Sequence, residues 1–236
     1  MRKLVSDTGL YNVAESIDRL INVDIGARGT AQVLFDAARD LLGGKPMTLA
    51  AVELMQRSIK PGDYVFITTG WADQPANLPT KSETDGPPGA ANLARTIRLT
   101  LKGLPVIVTD DYLVDDMKTV MASCGFSVVE PDHLKVSLSD ELGFAMVPTI
   151  AVIGMPIDQE ECRIRAEKLL DQYKPALCLA IERGGMNKHG RIHGNGRIRF
   201  LRQPGEDGLS LHRSQGSGNR HHRHRRRRKR DWHGQH

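Results

Sequence analysis

The sequence predicts an α/β domain of three layers, in which helices cover a mostly parallel, Rossmann-like sheet that follows a group of N-terminal helices. Three observations support this fold. Short runs of β-branched and aromatic residues alternate with amphipathic segments between residues 63 and 183. Those runs are apolar at consecutive positions, as in strands that are buried on both faces. The residues before them show only the helical spacing of apolar positions.

Three helices are predicted before the first strand. The segments YNVAESIDRLI, TAQVLFDAARDLL and TLAAVELMQRSI, at residues 11–21, 30–42 and 48–59, repeat apolar residues at helical intervals. Thr30 and Thr48 open the second and third segments, and a threonine hydroxyl accepts well from the free N–H groups of a helix start. We therefore expect both threonines to be N-caps, and the helices to cover one face or one edge of the sheet.

From residue 63 onward, strands and helices alternate. The predicted strands are residues 63–70, 104–111, 126–130, 147–154 and 176–185. The predicted helices between them are residues 90–101, 112–125 and 159–173. Gly125 ends the second of these helices, as expected of a residue that adopts a left-handed conformation after a helix. Strands connected through helices form parallel sheets, and ligands bind outside the carboxyl ends of such strands.

The positive charge of the chain comes from its tail. Residues 201–236 carry ten Lys and Arg against three Asp and Glu, whereas residues 1–200 carry 23 against 25. The domain is therefore mildly acidic, and the net charge of +5 belongs to the tail. The segment HRHRRRRKRDWHGQH, residues 222–236, would bind polyanions through charge alone. We expect no specific nucleic-acid partner.

The cysteines and apolar runs indicate a cytoplasmic protein. Cys124, Cys162 and Cys178 are far apart and form no CxxC pair, so neither a zinc site nor a disulfide framework is predicted. No apolar run approaches the length of about 18 residues that crosses a membrane, and the N-terminus lacks the apolar core of a signal peptide. We expect no membrane partner, and the sequence does not indicate an oligomeric state.

The long segment after the first strand carries candidate catalytic residues. ETDGPPGA, residues 83–90, precedes a predicted helix and contains two carboxylates, Glu83 and Asp85. Either can act as a general base, and backbone N–H groups between Gly86 and Gly89 can bind an anion or an oxyanion at the helix N-terminus. The alternative is a solvent loop in which Asp85 and Gly86 form an ordinary turn.

Polar residues also follow the ends of the strands. Thr69 ends the first strand, and Asp110 and Asp111 end the second. An aspartate there can accept from a ligand, act as a base or bind a metal; alternatively, the pair caps the following helix. Glu182 and Arg183 leave the last strand, where they can act as acid or base and as a carboxylate clamp. The alternative for these two residues is a structural ion pair.

The sequence identifies no cofactor and predicts no metal ligands. His189 and His193 are four residues apart, but the glycines around them oppose the helix that would bring both to one metal. Nucleotide-binding glycine motifs, a nucleophile elbow and a zinc-protease motif are absent from the sequence. The residues by themselves predict a site for a small polar ligand and leave the reaction open.

Four segments resemble a known family in their content and order. They are NVDIGARGTAQVLFDAAR, VFITTGW followed by ETDGPPGAANLARTI, LPVIVTDD, and AIERGGMNKHGRIHGNGR. Over residues 15–199 the chain is similar to the D-glutamate cyclase-like C-terminal domain. The resemblance implies a lyase that converts D-glutamate, a small anionic amino acid, to 5-oxo-D-proline and water. A non-catalytic domain that binds a small molecule is the alternative.

The resemblance and the strand ends together give a candidate site. The predicted catalytic residues are Glu83, Asp85 and Glu182. Substrate binding is assigned to Thr69, Gly86, Gly89, Asp110, Asp111, Arg183, Asn187 and Asn195. In the expected mechanism, Glu83 or Asp85 deprotonates the substrate ammonium group. Arg183 clamps a substrate carboxylate, and Asp110 holds the ammonium group.

The tail departs from the family pattern, which continues with a glycine-rich acidic segment of the form GIGDGGNEIGMGN. Codons for residues 222–236, read one nucleotide later, permit IGIGDGGNEIGMGN, and the match at Trp232 depends on the single codon of tryptophan. We therefore predict a family domain over residues 1–200 that is incomplete at its C-terminus, and a disordered, out-of-frame tail over residues 201–236. That loss would impair activity and solubility. The alternative is a genuine basic arm that binds nucleic-acid phosphates.

Overall fold

The computed structural model describes residues 7–27, 29–70, 84–136 and 147–184, and the backbone of three short strands beyond them. The helices are α1 (Asp7–Ile21), α2 (Thr30–Leu41), α3 (Met47–Ser58), α4 (Gly86–Thr96), α5 (Val114–Ser123) and α6 (Gln159–Tyr173). The strands of the main sheet are β1 (Tyr64–Thr68), β2 (Leu104–Asp110), β3 (Ser127–Val128), β4 (Thr149–Met155) and β5 (Leu177–Ala180). Single turns at Ile97–Leu101, Asp111–Leu113 and Pro131–His133 join these elements.

The five strands form one parallel sheet in the order β3-β4-β2-β1-β5. β1 lies between β2 and β5, with Thr68 opposite both Val108 and Ala180. Helices α4 and α5 pack on one face, and α6 packs on the other. The predicted three-layer α/β fold is therefore confirmed, with every predicted strand and helix of residues 63–183 present.

Alternate residues of each central strand enter two separate cores. Val65 and Ile67 of β1, together with Ile107 of β2, are fully buried against α4 and α5. Phe66 and Val108 point the other way and pack with side chains of α6. Burial on both faces explains why these strands read as continuous apolar runs instead of alternating ones.

The end of α5 has the conformation that its sequence predicts. Gly125 has a φ of 83° and follows the last turn of the helix. Its N–H donates to the Ala122 carbonyl, and the next N–H, of Phe126, donates to the Met121 carbonyl. This pair of hydrogen bonds is the Schellman arrangement, which satisfies the last carbonyl groups of a helix. The prediction for Gly125 is confirmed.

The two predicted threonine caps are wrong, because neither threonine occupies the N-cap position of its helix. Thr30 is the first residue of α2, and the N-cap position belongs to Gly29. At α3, the carboxylate of Asp18 in α1 accepts from the N–H groups of Met47 and Thr48 and from the Thr48 hydroxyl. Thr48 therefore donates to a cap instead of acting as one, and Asp18 joins α1 to α3.

The N-terminal helices cover the sheet only in part. Met55 of α3 packs against the core beneath α4, and α1 packs on α3. Several apolar side chains of α1 and α2 remain exposed, namely Leu10, Val13, Ile17, Leu20, Ile21, Val33, Leu34 and Leu41.

The backbone beyond residue 184 contains a second, antiparallel sheet. Its strands are β6 (Ile192–His193), β7 (Ile198–Leu201) and β8 (Ser210–Arg213), in the order β6-β7-β8. β7 and β8 span the predicted domain boundary at residue 200. That boundary, and the out-of-frame origin of the tail, stay predictions.

Replacing Asp18 by alanine should destabilise the protein by about 2 kcal/mol, because two buried backbone donors of α3 lose their acceptor. Urea unfolding followed by circular dichroism measures the change. Asp36→Ala is the matched control, since Asp36 is exposed on α2 and accepts only from Gln32 one turn away. Equal midpoints for the two variants would contradict the capping role.

The same contribution should disappear in acid. Burial acts to raise the pKa of Asp18, but hydrogen bonds from Thr48 and Met47 outweigh it and lower the pKa below its ordinary value. A carboxylate with a lowered pKa stabilises the fold at neutral pH, and the contribution is lost as the pH falls through the folded-state pKa. The stability difference between the wild type and Asp18→Ala should therefore shrink in that acid range.

Candidate functional site

The candidate residues lie at one edge of the sheet, where the three neighbouring strands β2, β1 and β5 end. Each strand continues into a pair of polar or flexible residues: Thr69-Gly70 after β1, Thr109-Asp110 in β2, and Glu182-Arg183 after β5. Consecutive residues of a strand point to opposite faces. Arg183 lines the cavity on the side of α6, whereas Thr69 and Glu182 lie against Gly86 at the start of α4.

On the α6 side, Asp110 and Arg183 form a bidentate ion pair. Arg183 Nη1 donates to Asp110 Oδ2 at 2.9 Å and to the Gly70 carbonyl at 2.7 Å, and Nη2 donates to Asp110 Oδ1. The Tyr112 hydroxyl donates to Asp110 Oδ2 at 3.3 Å. The Asp110 side chain is 2% exposed and that of Arg183 is 22% exposed. The pair links the ends of β1, β2 and β5.

The electrostatics of Arg183 follow from this geometry. Burial acts to lower the pKa of Arg183, but the hydrogen bonds and charge of Asp110 outweigh it and raise the pKa. Asp110 occupies the position before a single turn, yet its side chain makes no capping bond there. Arg183 thus forms an ion pair, but its partner is Asp110 and not the neighbouring Glu182.

Asp111 points away from its neighbour Asp110. Its side chain is half exposed and receives Arg165 Nη1 of α6 at 3.4 Å. It also lies against Gly154 of β4, where an added Cβ would come within 2.2 Å of Asp111 Oδ1. The residue at position 154 must therefore be glycine for the turn after β2 to sit on β4. Asp111 belongs to the junction of β4 and α6.

On the α4 side, Asp85 and Glu182 hydrogen-bond through their carboxyl groups. Asp85 occupies the N-cap position of α4 and accepts from the Gly86 N–H at 3.2 Å. The hydrogen bond with Glu182, followed by backbone N–H groups, lowers the pKa of Asp85 against the opposing effect of burial. Two carboxyl groups can hydrogen-bond only if one of them carries a proton. The arrangement therefore brings two carboxyl groups together at the N-terminus of α4 and favours ionised Asp85.

Gly86 permits the close approach of three groups at the start of α4. An added Cβ at Gly86 would lie 2.9 Å from Glu182 Oε2 and 3.1 Å from Thr69 Oγ1. At Gly89, the nearest atom to an added Cβ is Ile181 Cγ2 at 3.7 Å, an ordinary contact. A side chain at position 86 would therefore have to displace the Glu182 carboxyl group, whereas the space around Gly89 would admit alanine.

The start of α4 offers few free backbone donors. Residues 87 and 88 are prolines and have no N–H. The Gly86 N–H donates to Asp85 Oδ1, and the Gly89 N–H donates to the Asp85 carbonyl. Both glycine donors that the sequence predicts for an anion are therefore engaged by Asp85. An anion at this helix would need donors from elsewhere.

Two buried hydroxyl groups lie at the same strand ends without a partner. The side chains of Thr69 and Thr109 are 0% and 1% exposed. Neither Oγ1 has a hydrogen-bond partner among the described residues. Sequence reasoning selected Thr69 and missed Thr109. β1 and β2 pair in parallel with Thr68 opposite Val108, so the next residues, Thr69 and Thr109, are adjacent positions.

A cavity of about 270 Å³ lies between the sheet and α6. Its walls are largely apolar and include Phe66, Val108, Met155 and Leu169, with Arg183 as a charged group of the lining. Thr69, Asp85 and Glu182 do not line it. Of the polar residues at the strand ends, Thr109 and Arg183 line this cavity, whereas Asp85 and Glu182 lie at the start of α4.

Three predicted site residues, Glu83, Asn187 and Asn195, lie outside the described residues. Within the described ranges, no three His, Cys, Asp or Glu side chains come together as they would around a metal ion. None of the helices in those ranges has both the length and the apolarity needed to cross a membrane.

Comparison with known proteins gives one match. The profile of the family described as D-glutamate cyclase-like, C-terminal, matches residues 17–200. Searches of curated proteins and of solved structures gave no significant match. The matched range covers all five strands of the parallel sheet and every described residue of the candidate site.

Removing one partner of the Asp110–Arg183 pair should destabilise the protein by about 3 kcal/mol, because it leaves a buried charge unpaired. Asp110→Asn, Arg183→Met and the double variant form a thermodynamic cycle, measured by urea unfolding. The double variant should lose less than the sum of the single losses. Asp111→Asn is the control and should change stability by less than about 0.5 kcal/mol, since it loses only an exposed contact. Additive single losses would show that the pair does not couple.

Proposed function

Because the chain belongs to the D-glutamate cyclase-like, C-terminal family, we propose that its site is built to convert D-glutamate to 5-oxo-D-proline and water. The hydrogen-bonded pair of Asp85 and Glu182 carries the proposal. The pair brings two carboxyl groups together at the carboxyl edge of a parallel sheet, where α/β domains bind ligands.

The reaction balances without a co-reactant. The nitrogen of D-glutamate attacks the γ-carboxyl carbon, so a C–N bond forms and a C–O bond breaks. The ammonium group loses two protons in becoming the ring amide, and the departing γ-oxygen gains two in becoming water. The site must therefore accept protons from nitrogen, deliver protons to oxygen and stabilise the tetrahedral oxyanion between the two steps.

Asp85 and Glu182 suit these proton transfers. Asp85 is exposed, and its lowered pKa keeps it ionised, so it can accept a proton from the ammonium group. Glu182, the hydrogen-bond partner of Asp85, is our candidate for the acid that protonates the departing oxygen. Two hydrogen-bonded carboxyl groups in different protonation states are a common basis for such acid and base roles. Glu83 stays a candidate base from the sequence.

The Asp110–Arg183 pair takes a different role from the one the sequence predicts. The two side chains bind each other in a bidentate manner instead of presenting separate charges to a substrate. Arg183 is the next residue after Glu182, so fixing its guanidinium on Asp110 and on the Gly70 carbonyl fixes the backbone that carries Glu182. We assign the pair to positioning Glu182 against Asp85.

We further propose that the tail interrupts a segment of the site. The shifted reading of residues 222–236 contains a glycine-rich acidic sequence that the family pattern places after the sheet. An out-of-frame tail would remove its carboxylates and leave the chain with impaired turnover. A domain that binds D-glutamate and releases no product would instead be a non-catalytic binding domain.

Asp85→Asn should lower the turnover of D-glutamate to 5-oxo-D-proline by at least about 100-fold, the usual contribution of a general base. Product can be followed by chromatography, because 5-oxoproline lacks a primary amine. The control is Asp115→Asn, an exposed carboxylate in the first turn of α5, which should retain wild-type turnover. Wild-type turnover in Asp85→Asn would remove Asp85 from the mechanism.

The pH dependence has a definite sign. A base works only when ionised, so activity falls as the pH drops through the pKa of Asp85. The hydrogen bond from Glu182 keeps that pKa low. Glu182→Ala should therefore move the acid limb of the residual activity to higher pH, whereas Glu182→Gln, which keeps a donor, should move it less. An unchanged acid limb in Glu182→Ala would contradict the pairing.

Sequencing the gene across codons 195–236 tests the frame directly. We expect one missing or extra base, after whose correction the segment IGIGDGGNEIGMGN is read in frame. The corrected protein should turn over D-glutamate faster than the chain as written. A confirmed frame would contradict the shift and make the basic tail genuine, with polyanion binding as its expected property.

A further inference from the structure

The hydroxyl groups of Thr69 and Thr109 make no hydrogen bond within the part of the chain that the structure describes. Both side chains are buried, and neither Oγ1 meets a hydrogen-bond partner among the described residues. A buried hydroxyl without a partner costs free energy, because it has given up its bonds to water. Valine has the same shape and would fill the same space without that cost. Hydroxyl groups retained in such places commonly serve a ligand.

Strand alternation places the side chains of Thr69 and Thr109 on the same side of the sheet, and Thr109 also contributes to the lining of the cavity beneath α6. Ile67 and Ile107, two residues earlier in the two strands, pack in the core beneath α4, so Thr69 and Thr109 point the same way. The parallel pairing of β1 with β2 extends to this position, where the Thr69 N–H donates to the Val108 carbonyl. The side chains of Thr69 and Thr109 are therefore neighbours across the two strands.

Thr69 reaches the carboxyl pair of the proposed site. Its Oγ1 and the Glu182 carboxyl both lie about 3 Å from the point where a side chain at Gly86 would begin, at 3.1 Å and 2.9 Å. The Glu182 side chain, which is exposed, lies beside the space above Gly86. A substrate carboxyl group that displaces Glu182 Oε2 would come within reach of the Thr69 hydroxyl.

The start of α4 supplies few backbone donors for an oxyanion. Prolines at 87 and 88 and the engagement of Gly86 and Gly89 by Asp85 leave the start of α4 without the N–H groups that an oxyanion needs. The positive end of the α4 dipole still points to this place. The two threonine hydroxyls are donors, and they have no other acceptor among the described residues.

We propose that Thr69 and Thr109 donate hydrogen bonds to the γ-carboxyl group of the substrate and to the oxyanion that forms from it. This inference rests on the proposed cyclase function and adds the donors that stabilise its intermediate. Side-chain hydroxyls in this role replace the backbone N–H groups that more often form an oxyanion site.

Thr69→Val and Thr109→Val test the proposal, because valine keeps the shape and removes the donor. Each variant should be at least as stable as the wild type in urea, while kcat for D-glutamate falls about 100-fold, as for the loss of one oxyanion donor. The serine variants Thr69→Ser and Thr109→Ser should recover most of kcat. Thr149→Val is the control. Thr149 is 8% exposed and begins β4, at the end of the strand opposite to the candidate site, so its replacement should leave kcat unchanged.

A structural role predicts the reverse, namely lower stability for both valine variants together with a kcat that follows the loss of folded protein. That outcome, or an unchanged kcat, would overturn the proposal while leaving the cyclase function intact. If the wild type gives no product, calorimetric titration with D-glutamate decides. Binding that the valine variants weaken about tenfold would keep the hydroxyls in the site and remove the reaction, whereas binding that they leave unchanged would overturn their role. No binding to the wild type would overturn both proposals.

Discussion

The buried pair of Asp110 and Arg183 determines how the carboxyl edge of the sheet is arranged. Three strands end there, and the guanidinium of Arg183 joins them through the Asp110 carboxylate and the Gly70 carbonyl. Such a pair adds little net stability over an apolar alternative, since desolvation offsets much of its attraction. Its value lies in geometry, because a bidentate contact permits only one relative placement of the two strand ends.

That placement separates two environments across the thickness of the sheet. Arg183 turns toward α6 and the apolar cavity, while its neighbour Glu182 turns toward Asp85 and the start of α4. Glu182 has a φ of 47°, a left-handed conformation that costs a non-glycine residue about 1–3 kcal/mol. The anchored Arg183 next to it holds this conformation. The strain thus accompanies the residue that we assign as the acid.

The proposed chemistry needs hydrogen-bond donors that the backbone at the start of α4 does not provide. Two prolines and two engaged glycines leave α4 with a dipole but without free N–H groups for an anion. The hydroxyls of Thr69 and Thr109, which have no partner among the described residues, are our candidates for those donors, and Thr69 Oγ1 lies beside Gly86. Asp85, which engages both glycines, also receives the hydrogen bond of Glu182, so one carboxylate caps the helix and belongs to the acid–base pair.

The sequence by itself determined the layers of this fold, because continuous apolar runs and helical spacing report burial directly, and it also located the polar strand ends. From the sequence we expected backbone donors between Gly86 and Gly89, although the prolines at 87 and 88 have no N–H. Only the tertiary structure decided the partners. Asp18 caps α3 across 29 residues, and Arg183 binds Asp110 across 73. Such contacts depend on which strands and helices become neighbours, and local spacing along the chain carries no information about that choice.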